Sequence, residues 1–218
     1  MPLCRQYKIG DTELLLWHVT ETAGELSQFV SPDCVVGCAG FVSEKRKCEW
    51  LAVRALLANR FGNGVRVVYD EAGKPSLEGA SFDVSISHTD GYVVVALSDS
   101  GAVGVDVELL SRNALTAAGR YIPSGVLESF SVDVKNKMAL FHWCAKEALF
   151  KLVGNLGGTF KDNISLGDFE IAGSGSFRIA VVGLAADVNE DFIADYICDE
   201  DLLFVVCRRC QACLCDDK

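Results

Sequence analysis

Residues 82–109 read FDVSISHTDGYVVVALSDSGAVGVDVEL, and this stretch decides the predicted fold. Apolar and polar residues alternate at its start, which is typical of a half-buried strand because successive side chains point to opposite faces of a sheet. Asp90-Gly91 and Asp99-Ser100-Gly101 are turn sequences that divide the stretch into three parts. We therefore expect an antiparallel meander of three strands, which end near His88, Ser98 and Leu109.

A helical pattern precedes the meander and a second one follows it. Ser43 can cap a helix that runs to about Arg60, with glycines directly after it. The second helix is predicted to begin near Asn136 and to end at Gly154. Both repeat apolar residues every three or four positions, which indicates one buried face each. These faces comprise Cys48, Leu51, Ala52, Ala55 and Leu56 in the first helix, and Met138, Phe141, Ala145, Leu149 and Leu152 in the second.

Strand-like segments follow both helices, so the order of helix and then strands occurs twice. The remaining predicted strands are residues 13–19, 65–69, 169–171, 177–182, 192–198 and 202–207, whereas residues 111–136 look partly irregular. Such an order favours an α+β fold. We predict two α+β halves that meet near Leu109, an N-terminal half of residues 1–109 and a C-terminal half of residues 110–218.

Composition and charge exclude several classes of protein. The 218 residues carry a net charge of −10, whereas a general nucleic-acid binder needs a basic surface. A polyanionic ligand would therefore need a local cluster of basic side chains. No apolar run reaches the roughly 18 residues of a membrane span, and charged residues interrupt the start of the chain, unlike in a signal peptide. We expect no membrane partner, a cytoplasmic location and free thiols at the ten cysteines.

The sharpest local motif is Gly104-Val105-Asp106-Val107-Glu108. On a strand, Asp106 and Glu108 share one face, roughly 7 Å apart at the backbone. Two adjacent carboxylates repel each other unless a cation lies between them, and hard oxygen ligands suit Mg²⁺. The alternative is an ordinary solvated strand face, and this motif alone leaves both interpretations open.

A second motif lies on the second helix, where Glu147 and Lys151 are four residues apart and share one face with Trp143. An exposed Glu–Lys pair at this spacing is commonly only a helix salt bridge, worth a few tenths of a kcal/mol. In isolation, that simpler interpretation is favoured.

Basic residues gather in two other places. Arg46 and Arg54 are eight residues apart on the first helix and so lie within roughly 80° of each other, and Lys74 adds a charge in a Gly-Lys-Pro turn. His88 ends a predicted strand next to a tight turn, a common position for functional side chains. These residues could form the basic cluster of an anion site or could only solvate the surface.

In this order and together, the motifs resemble the 4′-phosphopantetheinyl transferases of the large monomeric class, the type that activates surfactin synthetase. A DxE strand alone is a weak signal, but DxE followed by W-x-x-K-E-A-x-x-K at this separation is a strong one. The resemblance covers about residues 44–154. Its motifs are Arg46-Lys47-Cys48-Glu49-Trp50-Leu51-Ala52-Val53-Arg54, Gly73-Lys74-Pro75, Ser87-His88, Gly104-Val105-Asp106-Val107-Glu108 and Trp143-Cys144-Ala145-Lys146-Glu147-Ala148-Leu149-Phe150-Lys151.

The resemblance implies a pseudo-twofold pair of α+β halves with coenzyme A in the cleft between them. A carrier serine would attack the β-phosphorus, and adenosine 3′,5′-bisphosphate would leave. The implied metal ligands, for Mg²⁺, are Asp106, Glu108 and Glu147. The implied catalytic residues are Glu147, Lys151 and His88, with Glu147 as the base directly or through a metal-bound water. The implied coenzyme A contacts are Arg46, Arg54, Lys74, Ser87, His88, Lys146 and Lys151. The assignment of Lys146 has the least support, because its side chain points about 100° away from that of Glu147 around the helix.

Partners and rival functions remain open on the sequence alone. The implied partner is an apo acyl or peptidyl carrier protein, bound by a monomer through residues 111–136 and the exposed part of the second helix. The sequence does not name the pathway that the carrier serves. One rival is a non-catalytic module that binds coenzyme A. Another is a zinc or redox site at Cys207, Cys210, Cys213 and Cys215. The alternative for these four cysteines is a reduced tail that binds no metal.

Overall fold

The computed structural model describes residues 4–154, 159–182 and 191–210. The N-terminal elements are β1 Cys4–Ile9, β2 Thr12–His18, α1 Ala23–Leu26, α2 Pro32–Gly37, α3 Glu44–Phe61, β3 Arg66–Tyr69, β4 Pro75–Glu78, β5 Asp83–Thr89, β6 Tyr92–Ser98 and β7 Val103–Leu109. The later elements are α4 Val132–Val153, α5 Phe160–Asn163, β8 Ile164–Leu166, β9 Ser174–Val181, β10 Asp191–Asp199 and β11 Leu202–Arg209. Short 3₁₀ turns occupy Ser27–Phe29 and Leu115–Arg120. This mixture confirms the predicted α+β class.

The two long helices begin and end for local reasons. The Ser43 hydroxyl accepts the N–H of Arg46 at the start of α3, and Gly62 ends that helix with φ 76°. Gly154 ends α4 in the same way, with φ 78°. The apolar faces predicted for both helices are buried.

Two antiparallel sheets are packed between these helices. The first has the strand order β1-β2-β6-β5, and the second has the order β7-β11-β10-β9-β8. Along β6, Val93 and Val95 pack with α3, whereas Val94 packs with Val105 of β7 and with Phe204 of β11. The opposite face of the second sheet packs against α4. The layers therefore run α3, first sheet, second sheet, α4. The central strands of both sheets are buried on both faces, which explains why these strands are almost wholly apolar.

The expected three-strand meander is wrong in its last strand. β5 and β6 pair as predicted, but β7 pairs with β11 in the second sheet. The free edge of β7 is satisfied by side chains of β5, because Val105 N–H donates to the Ser85 hydroxyl at 3.0 Å and Val107 N–H to that of Ser87 at 3.4 Å. The polar face of β5 is therefore buried against the second sheet, where the alternation had indicated solvent. The chain division near Leu109 stays a prediction.

Two other boundaries differ from expectation. α4 begins at Val132 and not near Asn136. Asn136 lies inside the helix, and its side-chain oxygen accepts the backbone N–H of Ala114 at 2.9 Å. Residues 169–171 are not a strand. There the Tyr196 hydroxyl donates to the Glu170 carbonyl at 2.6 Å and accepts the Ala172 N–H at 3.1 Å, in place of a strand partner. Within the described ranges, no helix is both long and apolar enough to cross a membrane.

Candidate active site at the contact of strand β7 and helix α4

Gly104 lets α4 lie directly on β7. A Cβ atom added there would be 2.0 Å from the Ala148 carbonyl oxygen and 2.8 Å from the Leu152 backbone nitrogen, which are far below any normal contact. Along a strand, residues two apart share a face, so Asp106 and Glu108 also face the helix. The close approach brings the turn of α4 that carries Glu147 and Lys151 against these carboxylates.

Asp106 is buried and ion-paired to Lys151. Its Oδ1 accepts the Lys151 ammonium at 2.8 Å and the Ser87 hydroxyl at 2.7 Å. Lys151 also donates to Ser87 Oγ at 2.8 Å and to the Val105 carbonyl at 3.0 Å. The described residues include no ion pair between Lys151 and Glu147, so the simple helix salt bridge that the spacing suggested is not formed. The other oxygen of Asp106, Oδ2, is buried without a hydrogen-bond partner.

Glu108 has both carboxylate oxygens engaged. Oε1 accepts the Trp143 indole N–H at 2.9 Å and forms a close ion pair with Arg112, and Oε2 accepts the Thr89 hydroxyl at 3.0 Å. Thr89 and Arg112 had no recognisable signal in the sequence, because Thr89 reaches Glu108 from the last position of β5 and Arg112 from the loop after β7.

Glu147 is the acid with a perturbed pKa in this group. Burial, and secondly the negative charge of Asp106, raise the pKa of its carboxyl above the ordinary value, although Lys151 and Arg112 oppose the shift. A raised pKa makes a carboxylate a better proton acceptor near neutral pH.

The donor chemistry fits a hard cation only in part. A bound Mg²⁺ would give Asp106 Oδ2 a partner and would reduce the repulsion between Asp106 and Glu147. However, in the part of the chain that is described, no three His, Cys, Asp or Glu side chains lie close enough together to hold one ion. Glu108 is turned to its own hydrogen-bond partners. The predicted three-carboxylate metal site therefore stays a prediction.

A basic cleft of about 540 Å³ adjoins this contact, and Lys151 belongs to both. Arg46, Arg54, Lys74 and His88 also line it, so five of the predicted coenzyme A contacts meet there. Lys74 reaches across to the C-terminal end of α4 and donates to the Leu152 carbonyl at 2.8 Å. Burial lowers the pKa of His88, although the negative charge of Glu49, at 3.4 Å from Nδ1, works in the opposite direction.

Comparison with known proteins decides the family. No protein-family model matches the chain. It is 30% identical over 146 residues to the 4′-phosphopantetheinyl transferase AcpT of Salmonella typhimurium, a match that covers 62% of this chain and 70% of that protein. The chain belongs to the 4′-phosphopantetheinyl transferase family. It is also 29% identical over 118 residues to AcpT of Escherichia coli K12 (50% of this chain, 59% of the relative) and 31% identical over 115 residues to the putative transferase slr0495 of Synechocystis (48% and 47%).

Three residues that the resemblance assigned to coenzyme A lie deeper in this transferase than expected. Arg54 is only 8% exposed, and its guanidinium carbon stacks 3.2 Å from the centroid of the Trp50 ring. Ser87 lies behind the cleft, between Asp106 and Lys151. Lys146 is fully buried, and its ammonium donates to the backbone carbonyls of Tyr121 and Phe160. Their predicted contacts with the coenzyme stay untested.

The transferase has a second cleft of about 540 Å³ on the other side of Glu147. It is lined by Glu147 and Trp143 of α4 together with Arg112, Tyr121 and Phe160. The Lys146 ammonium donates to the backbone carbonyls of Tyr121 and Phe160. Sequence reasoning missed Tyr121 and Phe160, because they lie in segments with irregular patterns. α4 thus borders both clefts, and the second cleft combines the aromatic side chains of Tyr121, Trp143 and Phe160 with Arg112 and Arg120.

The cysteine-rich tail is only partly described. Cys207 lies on β11 in the core, with its thiol 3.5 Å from the Ala145 carbonyl, and burial raises the pKa of that thiol. Cys213 and Cys215 fall outside the described residues. A zinc site that includes Cys207 would have to draw it out of the core, so the structure disfavours that ligand set.

Proposed function

We propose that this transferase moves the 4′-phosphopantetheine group of coenzyme A to a serine of an apo carrier protein and releases adenosine 3′,5′-bisphosphate. The observation that carries the proposal is the position of Lys151, which lines the basic cleft and also contacts Asp106, one helical turn from the raised-pKa carboxyl of Glu147. This adjacency supports a site in which one turn of α4 serves both anion binding and proton acceptance.

The basic cleft suits the phosphates of coenzyme A. The protein carries a net charge of −10, so a polyanion would be repelled by most of its surface. Arg46, Lys74, His88 and Lys151 supply the local cluster of cationic or hydrogen-bonding groups that such a ligand requires.

The transfer is a displacement at phosphorus. The serine hydroxyl oxygen forms a bond to the β-phosphorus, and the bond from that phosphorus to the bridging oxygen breaks, with the electron pair left on adenosine 3′,5′-bisphosphate. Glu147 takes the hydroxyl proton, a role that its position at the border of the second cleft supports. Lys151 faces the negative charge that grows on the leaving phosphate.

We further propose Mg²⁺ as the metal, held by Asp106 and Glu147. When bound, this ion offsets phosphate charge in the transition state. Glu108 supports the site through Thr89 and Trp143, and we propose it as a third ligand only if it gives up one of these bonds.

The finer assignments belong to the same proposal. They are the large monomeric, surfactin-synthetase-activating type, a monomeric state, a cytoplasmic location and carrier contact through residues 111–136. The second cleft lies beside those residues and borders Glu147, which supports approach of the carrier from that side.

The test is a transfer assay. The protein is mixed with coenzyme A and a panel of apo carrier proteins, with Mg²⁺ or with EDTA, and each carrier is weighed by mass spectrometry for the added phosphopantetheine. Glu147→Gln keeps the shape but removes the charge, and turnover should fall by about a hundredfold or more. Glu78→Gln, an exposed change on β4, is the matched control and should leave the rate unchanged. Coenzyme A binding without transfer to any carrier would instead favour the non-catalytic module.

A further inference from the structure

An acidic side chain is buried in the wall of the basic cleft. Glu49 lies on α3, is 8% exposed and lines the cleft together with Arg46, Lys74, His88 and Lys151. A carboxylate in this place repels any anion that enters the cleft, and its own burial is unfavourable unless cations pair with it. The position of Glu49 therefore needs a reason other than direct binding of an anion.

Glu49 contacts two groups that belong to different elements. Its Oε2 accepts the Arg46 guanidinium at 3.3 Å, and its Oε1 lies 3.4 Å from Nδ1 of His88 on β5. The pair with Arg46 is an ordinary helix contact between residues three apart, and it adds little stability because half of the Arg46 side chain is exposed. The contact from α3 to β5 instead fixes a ring in the lining of the cleft.

The contact with Glu49 engages one of the two ring nitrogens of His88. A carboxylate at Nδ1 favours the form of the imidazole in which Nδ1 carries a proton, and it also orients the ring. The second nitrogen, Nε2, then takes up a further proton and can make a charge-assisted hydrogen bond to an anion. The side chain of His88 is 45% exposed, so an anion in the cleft has access to it.

Glu49 also opposes the other influences on the protonation of His88. Burial is the largest of them and lowers the pKa of the imidazole. The negative charge of Glu49 comes second and raises this pKa, whereas Arg46, Lys151 and Lys45 lower it. The charged groups of the elements that meet here are Lys45, Arg46 and Glu49 of α3, Lys151 of α4, Asp90 of the turn after β5, and Asp70 and Lys74 of the turn between β3 and β4.

We propose that Glu49 is a positioning residue, which orients the imidazole of His88 through Nδ1 so that Nε2 donates to a phosphate group in the basic cleft. The inference rests on the proposed function for the identity of that phosphate, which would belong to coenzyme A. Glu49 itself does not contact the ligand. Its role explains why a buried carboxylate lies among the cations of an anion site.

The test compares Glu49→Gln with the wild type by calorimetry from about pH 5 to 8, with inorganic pyrophosphate as the probe. The amide keeps the size of the side chain but removes its charge. Both proteins meet the same ionic forms of pyrophosphate at each pH, so the ratio of their dissociation constants reports on the protein. In the acidic part of the range, we expect Glu49→Gln to bind roughly tenfold more weakly, the smaller effect expected for one charge-assisted hydrogen bond. The difference should shrink as His88 of the wild type becomes neutral.

Two controls isolate the contact with His88. Asp90→Asn removes a negative charge from the turn after β5, where Asp90 pairs with Lys45 at 3.1 Å, and it should bind pyrophosphate like the wild type. In a His88→Gln background, Glu49→Gln should no longer weaken binding, because the group that it positions is gone. NMR spectra of the ring nitrogens, assigned with His88→Gln, should show His88 titrating at lower pH in Glu49→Gln, and melting curves check that each variant is folded.

Other outcomes separate the inference from the proposed function. Tighter pyrophosphate binding in Glu49→Gln at every pH would overturn the inference, because Glu49 would then be only a repulsive charge. An equal loss with and without His88 would also overturn it, since Glu49 would then act through Arg46, and so would an unchanged titration of His88. If the wild type still transfers phosphopantetheine, these results leave the proposed function intact. If the wild type binds pyrophosphate as expected but transfers nothing to any carrier, the proposed function falls and the positioning of His88 stands.

Discussion

Replacing Gly104 with alanine should separate α4 from β7 and disable the site. The new Cβ would lie 2.0 Å from the Ala148 carbonyl oxygen, whereas an ordinary contact begins at 3.4 Å. The helix would therefore have to recede by about 1.4 Å, because the opposing atom is backbone and cannot rotate away. A displacement of about 1 Å at a reacting group can cost roughly a hundredfold in rate.

The stability cost of the same change follows from overpacking. Extra methylene groups in a packed core cost about 1–3 kcal/mol, which corresponds to roughly 2–12 °C of melting temperature for a chain of this size. At an unstrained position, Gly→Ala instead stabilises slightly by restricting the unfolded chain. Gly40→Ala is the matched control, since no atom lies within 4 Å of a Cβ placed there.

The assay combines melting curves with single-turnover transfer, measured well below the lower melting temperature so that both variants are folded. We expect Gly104→Ala to melt earlier and to transfer about a hundredfold more slowly, with Gly40→Ala like the wild type. Wild-type rate and melting temperature in Gly104→Ala would refute the close approach of α4 to β7 as the device that assembles the site. A lowered melting temperature with an unchanged rate would refute only its role in catalysis.

Two further predictions concern buried groups of α4. Lys146→Met removes the ammonium that donates to the Tyr121 and Phe160 carbonyls. We expect the free energy of unfolding in urea titrations to fall by about 1–3 kcal/mol, and the dissociation constant for coenzyme A to stay unchanged. A tenfold weaker coenzyme A complex would show that Lys146 contacts the ligand. Burial, and secondly the charge of Lys146, lower the pKa of His142 from its ordinary value of 6.5 to about 4, so the unfolded chain binds this proton first. The free energy of unfolding should therefore fall as the pH drops from about 6.5 to 4. His142→Leu should reduce that loss by on the order of 3 kcal/mol, and equal pH dependence in both proteins would contradict the assignment.

Local patterns predicted the long elements well, because the signals for them are local. The caps of α3, its buried face and the glycine that ends it can each be recognised within a few residues. The partner of β7 could not be predicted in this way. Its pairing with β11 joins residues about a hundred positions apart, and nothing in the sequence of β7 distinguishes β11 from β6 as a neighbour.

The sequence named several residues that the structure brings together at β7 and α4, but it did not predict their contacts. Alternation placed Ser85 and Ser87 on a solvated face, yet they bond the edge of β7 because a second sheet covers them. Helical spacing placed Arg54 near Arg46, but it could not reveal that the ring of Trp50 would stack on the Arg54 guanidinium. Burial depends on what packs against an element, and a single sequence describes only the element itself.

The contacts of Lys151 differ from those of an exposed helix salt bridge with Glu147. An ammonium group has three N–H donors, and here they bond Ser87, Val105 and Asp106, all outside α4. A surface lysine would leave these donors to water and gain at most about 1 kcal/mol from a neighbouring acid. Lys151 can turn to a phosphate only by releasing one of these three partners, and each is part of the β5–β7 contact. Under the proposed function, a phosphate bound by Lys151 would therefore alter the hydrogen bonding of Asp106, the residue whose other oxygen is already buried without a partner.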